Sequence, residues 1–383
     1  MNLFSSNISD ASWDFMNLTG VESNFFTYDQ PDKIILICFY IPVFFVALVG
    51  NILVLVMVFL QRSMKRNTTN YFLVNLAVAD LLVTVFCIPL TIAENIYTLW
   101  MYGDFMCRIT GYLQGIYVEA SVLTIVCMSI DRYLAIRYPM RSRAACNHTR
   151  VKQLILLTWI LAAVVMAPLL VVRRVETHKI DEYVTLYFCQ EDWPSFRDRQ
   201  IYDVFLLFCA YIFPGGIVVV LYIRIGCSLW KPDHALQREN SVVSNEVRML
   251  TSRRKLARMM IVISVLFALS WMPYFIVNVS MDFLSTEKEH RSNLFAVYPF
   301  ALLLGHSNSA QNPLLYCVMH RGFNNFLHKF FRCRCNELVL TRQASTLSSG
   351  EKEKSKTVTF LGSKLFRHKK QLVIKATGVG TPI

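Results

Sequence analysis

Seven apolar stretches constrain the fold of this chain more than any other feature. They are Ile34–Leu60, Tyr71–Ala93, Ile109–Ile130, Leu154–Val172, Val204–Ile223, Met259–Met281 and Leu294–Met319. At 1.5 Å per residue, Ile109–Ile130 alone extends about 33 Å as a helix, enough to cross a bilayer. Backbone N–H and C=O groups in lipid must pair within their own segment, so each stretch is predicted to be a helix. The composition agrees: 54% of the 383 residues are hydrophobic and 17% charged, against about 25% charged in a soluble domain. The net charge of +13 would suit nucleic acid, but it is concentrated in the inter-helix loops and the tail. A membrane protein without a nucleic-acid partner is expected.

Charge placement predicts the orientation. Arg62, Lys65 and Arg66 follow the first stretch, Arg137, Arg141, Arg143, Arg150 and Lys152 follow the third, and Arg248, Arg253, Arg254, Lys255 and Arg258 precede the sixth. The opposite side is acidic, with Asp10, Asp14, Glu22, Asp29, Asp32, Glu94, Asp104, Glu191, Asp192, Asp282, Glu287 and Glu289. Cytosolic loops collect Lys and Arg, so the N-terminus is expected outside and the C-terminus inside. Met1–Gln30 is polar and shows no cleavable signal, so the first span is expected to direct insertion.

Four regions follow: a glycosylated outer segment 1–33, the bundle 34–320, an amphipathic helix 321–335 and a disordered tail 336–383. A glycan needs the lumenal side, which selects the sequons at Asn7 and Asn17 over those at Asn67, Asn147 and Asn278. Of the eleven cysteines, most lie in apolar stretches, where they pack as small hydrophobes. Cys107 and Cys189 face the oxidising side and are the expected disulfide. After the seventh span, Phe323, Phe326, Leu327, Phe330 and Phe331 recur at helical spacing among Lys329, Arg332 and Arg334. That pattern predicts a helix lying on the inner leaflet, in contact with membrane lipid, with Cys333 and Cys335 as palmitoylation sites. The tail offers Ser345, Thr346, Ser348, Ser349, Ser355, Thr357 and Thr359 to a receptor kinase and hence to arrestin, although such residues are also ordinary in disorder. It ends on Thr381-Pro382-Ile383, which fits a domain that captures a C-terminal carboxylate.

Polar groups inside spans are costly and therefore informative. On the third stretch Gln114, Val118, Ser121, Ile125 and Arg132 fall on one stripe at 100° per residue, leading to Asp131-Arg132-Tyr133. The first stretch carries Gly50-Asn51 and the second Asn75-Leu76-Ala77-Val78-Ala79-Asp80. The fourth carries Trp159 and the fifth Pro214, with Tyr222 eight residues on. The sixth carries Phe267-Ala268-Leu269-Ser270-Trp271-Met272-Pro273, and the seventh Asn308-Ser309-Ala310-Gln311-Asn312-Pro313-Leu314-Leu315-Tyr316. On the right helices in the right order, these motifs strongly resemble the rhodopsin-like G-protein-coupled receptor family over roughly residues 33–335. The implied fold is an all-α seven-helix membrane bundle in the plasma membrane, and the implied partner is a heterotrimeric G protein.

The resemblance implies roles for single residues. Asp80, Ser121, Asn308 and Asn312 match a sodium pocket, in which hard oxygen ligands surround one carboxylate. A hydrogen-bonded cluster with Asp80 protonated is the alternative. Trp271 beside Pro273, with Phe267 one turn below, matches an element through which a ligand swings the inner half of the sixth helix. Arg132 would be held at rest by Asp131 and released toward Tyr222 and Tyr316, with Asn312 and Pro313 completing the switch. Three departures are visible, the first being Phe213-Pro214-Gly215-Gly216, glycine-rich just after the fifth-stretch proline. Ser270 stands where the family usually has cysteine, and Ser252-Arg253-Arg254-Lys255 is basic where many relatives place an acid. Restraint of Arg132 would then rest on Asp131, and some basal activity is expected.

For the ligand, the amine-binding aspartate of related receptors falls on Gln114, and Leu294–His306 has no lysine for retinal. Asp282 lies nine residues above Pro273, and Glu191-Asp192 follow Cys189 directly. Carboxylates at a partly desolvated mouth suit a ligand guanidinium, unless they are ordinary solvated loop acids. Thr91, Gln114 and Asp282 resemble the pattern of receptors for neuropeptides ending in Arg-Phe-amide (the neuropeptide FF, neuropeptide Y and QRFP groups). Cys189-Gln190-Glu191-Asp192-Trp193 is similar to these and to orexin receptors. The resemblance implies an extracellular peptide ligand whose amide meets Thr91 and Gln114 above a floor of Trp271, Tyr274, Phe275 and His306. Glu119, about 140° around the helix from Gln114, faces away from the main cavity and stays open between structure and a subpocket. An unrelated peptide or a non-peptide ligand is the alternative. A transporter would show internal repeats with midplane charge pairs. An enzyme would show a metal-ligand or nucleophile–base set in one pocket.

Overall fold

The computed structural model describes residues 30–61, 64, 68–97, 99–138, 147–179, 185–229, 241–283, 288–319 and 323–328. Asn7, Asn17, Cys333, Cys335 and the Ser/Thr tail lie outside the described residues. Seven long helices follow in order: α1 (Pro31–Leu60), α2 (Thr69–Ile96), α3 (Gly103–Arg137), α4 (His148–Val172), α5 (Phe196–Cys227), α6 (Ser241–Phe283) and α7 (Lys288–Met319). All reach beyond their apolar cores, because hydropathy registers only the part that lipid touches. Their polar ends carry the capping chemistry. Asn147 accepts the Arg150 backbone N–H at 2.8 Å to start α4, and Ser195 accepts that of Asp198 at 3.2 Å to start α5.

α1 to α6 are each long and apolar enough to cross a membrane. α7 is as long but less apolar, and is not among them. Its His306, Asn308, Ser309 and Asn312 are buried against other helices, so its polarity faces protein. The bundle turns its apolar surface outward, as Phe39, Phe45, Leu156 and Val164 show. α3 runs through the middle: 61% of its most apolar stretch is buried, against 22% in α4. Ile116, Tyr117 and Ala120 of α3 pack with Val83 and Cys87 of α2 and Ala162 and Met166 of α4.

Helices in lipid gain little from hydrophobicity and associate through close packing. Gly50 of α1 shows the consequence, since a Cβ there would lie 2.5 Å from the Pro313 ring of α7. Asn51 locks the same contact by donating to the carbonyl oxygens of Ala47 and Ser309, each at 2.9 Å. Gly50→Ala is expected to destabilise the fold by about 1–3 kcal/mol. A lower melting temperature of the solubilised protein is the readout, and an unchanged one would contradict this packing.

α2 and α5 each contain one widened turn. In α2, Val83–Cys87 is π-helical, closed by the Ile88 N–H on the Val83 carbonyl, just before Pro89. In α5, Phe208–Ile212 is closed by the Phe213 N–H on the Phe208 carbonyl, just before Pro214. A proline ring collides with the carbonyl four residues back and brings no N–H, and one extra residue in the turn relieves both.

The all-α expectation needs one correction. β1 (Arg173–Lys179) and β2 (Thr185–Glu191) form an antiparallel hairpin between α4 and α5, in register from Arg173 opposite Glu191 to Lys179 opposite Thr185. Val175, Thr177, Thr185, Tyr187 and Phe188 are strand-forming residues in a polar loop where apolar periodicity gives no signal. After α7, residues 323–328 are helical and Phe323 and Phe326 are buried; the rest of the expected amphipathic helix lies outside the described residues.

Candidate functional site

At the hairpin end of the bundle, Cys107 at the start of α3 is bonded to Cys189 of β2, with Cα atoms 5.6 Å apart. The Val175 N–H donates to Asp104 Oδ1 at 3.1 Å, and the Asp192 N–H to the Val172 carbonyl at 2.8 Å. These ties hold β1 over α3, so the Arg173 guanidinium packs onto Gly111, where any Cβ would collide with it. Beneath lies a cavity lined by Thr91, Glu94, Gln114, Leu113, Cys87 and Arg173. Thr91 and Gln114 therefore share one wall. Glu94 and Arg173 were not expected there. Glu94 lies three residues from Thr91 on the same helix face, the one sequence signal that points to it.

Asp282, expected at a partly desolvated mouth, is more enclosed than that and already has a cation beside it. Its side chain is 2% exposed, and Arg199 Nε of α5 lies 3.3 Å from its Oδ1. Its backbone carbonyl accepts from Gln200 Nε2 at 2.8 Å. An acid near a helix end is ordinarily solvated, but here α5 brings a cation and an amide against it. Glu191 accepts from Trp193 Nε1 at 2.8 Å. Asp192 pairs with Arg174 at 3.8 Å on the exposed side of the hairpin.

An aromatic cluster joins α6 and α7; its residues, expected as the floor under Thr91 and Gln114, are not among those lining that cavity. Trp271 meets Tyr274 at 5.6 Å, His306 at 6.2 Å and Phe267 at 6.3 Å between ring centroids. Tyr274 also packs on Phe275 at 5.6 Å and Tyr298 at 5.7 Å. A Cβ on Gly305 would lie 2.8 Å from the Trp271 ring, so the indole rests directly on the α7 backbone. His306 is fully buried and its Nδ1 is 3.2 Å from the Tyr40 hydroxyl, which links this cluster to α1.

Deeper still, Asp80 is buried and accepts from Asn312 Nδ2 at 2.9 Å. Ser121 donates to its own helix at Tyr117 (3.0 Å), leaving its oxygen lone pairs free to accept. Asn308 Nδ2 is buried with no hydrogen-bond partner among the described residues. Within the expected sodium set, the direct contact is that of Asn312 with Asp80. Among the described residues, no three His, Cys, Asp or Glu side chains gather for a multivalent metal. Glu119 is buried toward Cys209 of α5, and its Oε2 has no partner among the described residues.

At the opposite end, Arg132 pairs with Asp131 (Nε to Oδ2, 3.1 Å) and donates to the Thr69 hydroxyl, which itself donates to Asp131 at 3.0 Å. Thr69 was not expected, because its partners lie 62 and 63 residues away in sequence. Tyr222 and Tyr316 do not reach Arg132. Tyr222 bonds Ser129 at 3.0 Å, and the Tyr316 hydroxyl is buried without a partner among the described residues, its ring 6.4 Å from that of Phe323.

A helical membrane bundle with a disulfide-tied hairpin at one end and a clamped Asp-Arg pair at the other defines a class of signalling protein. The chain belongs to the rhodopsin family of 7 transmembrane receptors, whose profile matches residues 50–316. It is a multi-pass plasma-membrane receptor and not an enzyme. Neuropeptide FF receptor 2 of Mus musculus is 32% identical over 358 residues, covering 90% of this chain and 84% of its own. A QRFP-like peptide receptor of Branchiostoma floridae is 33% identical over 307 residues, 80% of each chain. Neuropeptide FF receptor 1 of Homo sapiens is 32% identical over 322 residues, 82% of this chain and 73% of its own.

Proposed function

We propose that the chain is a receptor for an extracellular neuropeptide that is amidated and carries a basic residue. The observation that carries this reading is the shared wall of Thr91 and Gln114. Two neutral hydrogen-bonding side chains in one cavity suit a carboxamide, which both donates and accepts. An ionised carboxylate offers only acceptors and would face Glu94. Asp282 and Glu191 would supply negative charge for the basic residue, and the names of the related receptors support a peptide ligand. In this reading the N-terminus and hairpin lie outside, and helix 321–335 rests on the inner leaflet.

A ligand seated on Tyr274 and Trp271 bears on α7 through Gly305 and on α6 near Pro273. Outward movement of the inner half of α6 then frees Arg132 from Asp131 and Thr69 and opens a crevice for the G protein. A sodium ion held by Asp80, Ser121, Asn308 and Asn312 would supply a positive charge to the buried carboxylate at rest. Tail phosphorylation by a receptor kinase and arrestin binding complete the proposed cycle.

The test is G-protein activation in cells expressing the chain, across amidated peptides and their free-acid counterparts. An Arg-Phe-amide is expected to activate, and its free acid to lose about 100-fold or more in potency, as for a buried amide replaced by a carboxylate. A response only to a different peptide would keep the receptor and discard this pocket assignment.

A further inference from the structure

At the acidic end of α6 a single described arginine, Arg199, stands between two acids. Arg199 and Asp203 lie one turn apart on α5, and Asp203 Oδ2 is 3.8 Å from the same Arg199 Nε that approaches Asp282. The carboxyl groups of Asp203 and Asp282 abut each other, with Glu191 near enough to act on Asp203 through its charge. Arg199 fills this place poorly. Its Nε makes no hydrogen bond, and Asp282 Oδ2 is buried without a partner among the described residues. Well-formed guanidinium–carboxylate pairs close to about 2.7–2.9 Å and use two N–H groups at once. The components also differ in freedom. The Arg199 side chain is 33% exposed, whereas those of Asp203 and Asp282 are 17% and 2% exposed. The arginine can swing out into solvent, and the carboxylates cannot leave.

We propose that Asp203 and Asp282 form a seat for a single guanidinium brought by the ligand, and that the chain's own Arg199 holds this seat until the ligand replaces it. The proposal deepens the reading of a peptide with a basic residue. The planar fork of a ligand arginine can meet both carboxylates at once, satisfying the orphaned Oδ2. Arg199 thereby sets a threshold, since weakly basic or badly placed groups fail to displace it.

The test combines a measurement that needs no peptide with one that does. In purified full-length receptor, Arg199→Ala is expected to lower the melting temperature, because two confined carboxylates lose their cation. Millimolar methylguanidinium should restore most of the loss, equal tetramethylammonium should not, and the restoration should vanish in Arg199→Ala/Asp203→Asn. Arg199→Gln carries the same expectations where the alanine variant folds poorly. In cells, an Arg-Phe-amide peptide should gain about tenfold in potency on either Arg199 variant, as from removing an internal competitor of about 1.4 kcal/mol. No restoration, or restoration that survives Asp203→Asn, overturns the seat even if the peptide activates the wild type. Guanidinium-specific restoration with silence to the peptide keeps the seat and removes the Arg-Phe-amide reading.

Discussion

Asp131→Asn is expected to raise ligand-free G-protein activation about tenfold at matched surface expression, a shift of about 1.4 kcal/mol in the resting equilibrium. The two side chains of the Asp131–Arg132 pair are 6% and 11% exposed, so their attraction is little screened. Removing one partner of a buried pair costs about 3–5 kcal/mol, and here part of that cost can be escaped. Arg132 is free to leave a pocket that no longer neutralises it, and leaving is the motion that activation requires. Thr69→Val should act in the same direction but less, because the hydroxyl bridges the pair without carrying charge. Lys255 and its basic neighbours at the start of the α6 span bring no acid to take over. Ligand-free signalling that stays at background in both variants would show that the clamp does not set the resting state.

Cys189→Ser is expected to weaken the response to the most potent amidated peptide by about 30-fold or more, given about 2–5 kcal/mol for such a bridge and about 1.4 kcal/mol per tenfold. The bridge closes a loop of 82 residues in sequence separation. It also fixes the hairpin that carries Arg173 over the cavity, with Glu191 opposite it in the strand register. The Val175–Asp104 and Asp192–Val172 hydrogen bonds remain, so the hairpin should loosen and not detach. Cys107→Ser/Cys189→Ser should therefore be no worse than either single change. Full potency with normal surface expression in the single variant would mean that the hairpin does not shape the ligand cavity.

The helices were legible because lipid imposes one rule on every span, and the motifs were legible because polar groups are rare there. Thr91 and Gln114 could be paired from their resemblance to a ligand pattern. What escaped was decided by partners distant in sequence. Asp282 was legible as an acid at a partly desolvated mouth, but not the Arg199 that α5 brings against it, and nothing in the sequence marks Thr69 as a partner of Arg132. The hairpin is invisible to hydropathy, since a polar loop carries no apolar period. α7 was legible as a span even though its buried polar residues, which face protein, depress its hydropathy.

The widened turn at Val83–Cys87 has a consequence for how such receptors diversify. One additional residue advances everything beyond it by about 100° around the axis. Thr91 and Glu94 thus look into the cavity by virtue of a phase change, while Asp80, below it, keeps the phase of the signalling half. The two halves of α2 are therefore separable under selection. Substitution above the turn can exchange one messenger for another while the inherited apparatus beneath is left untouched.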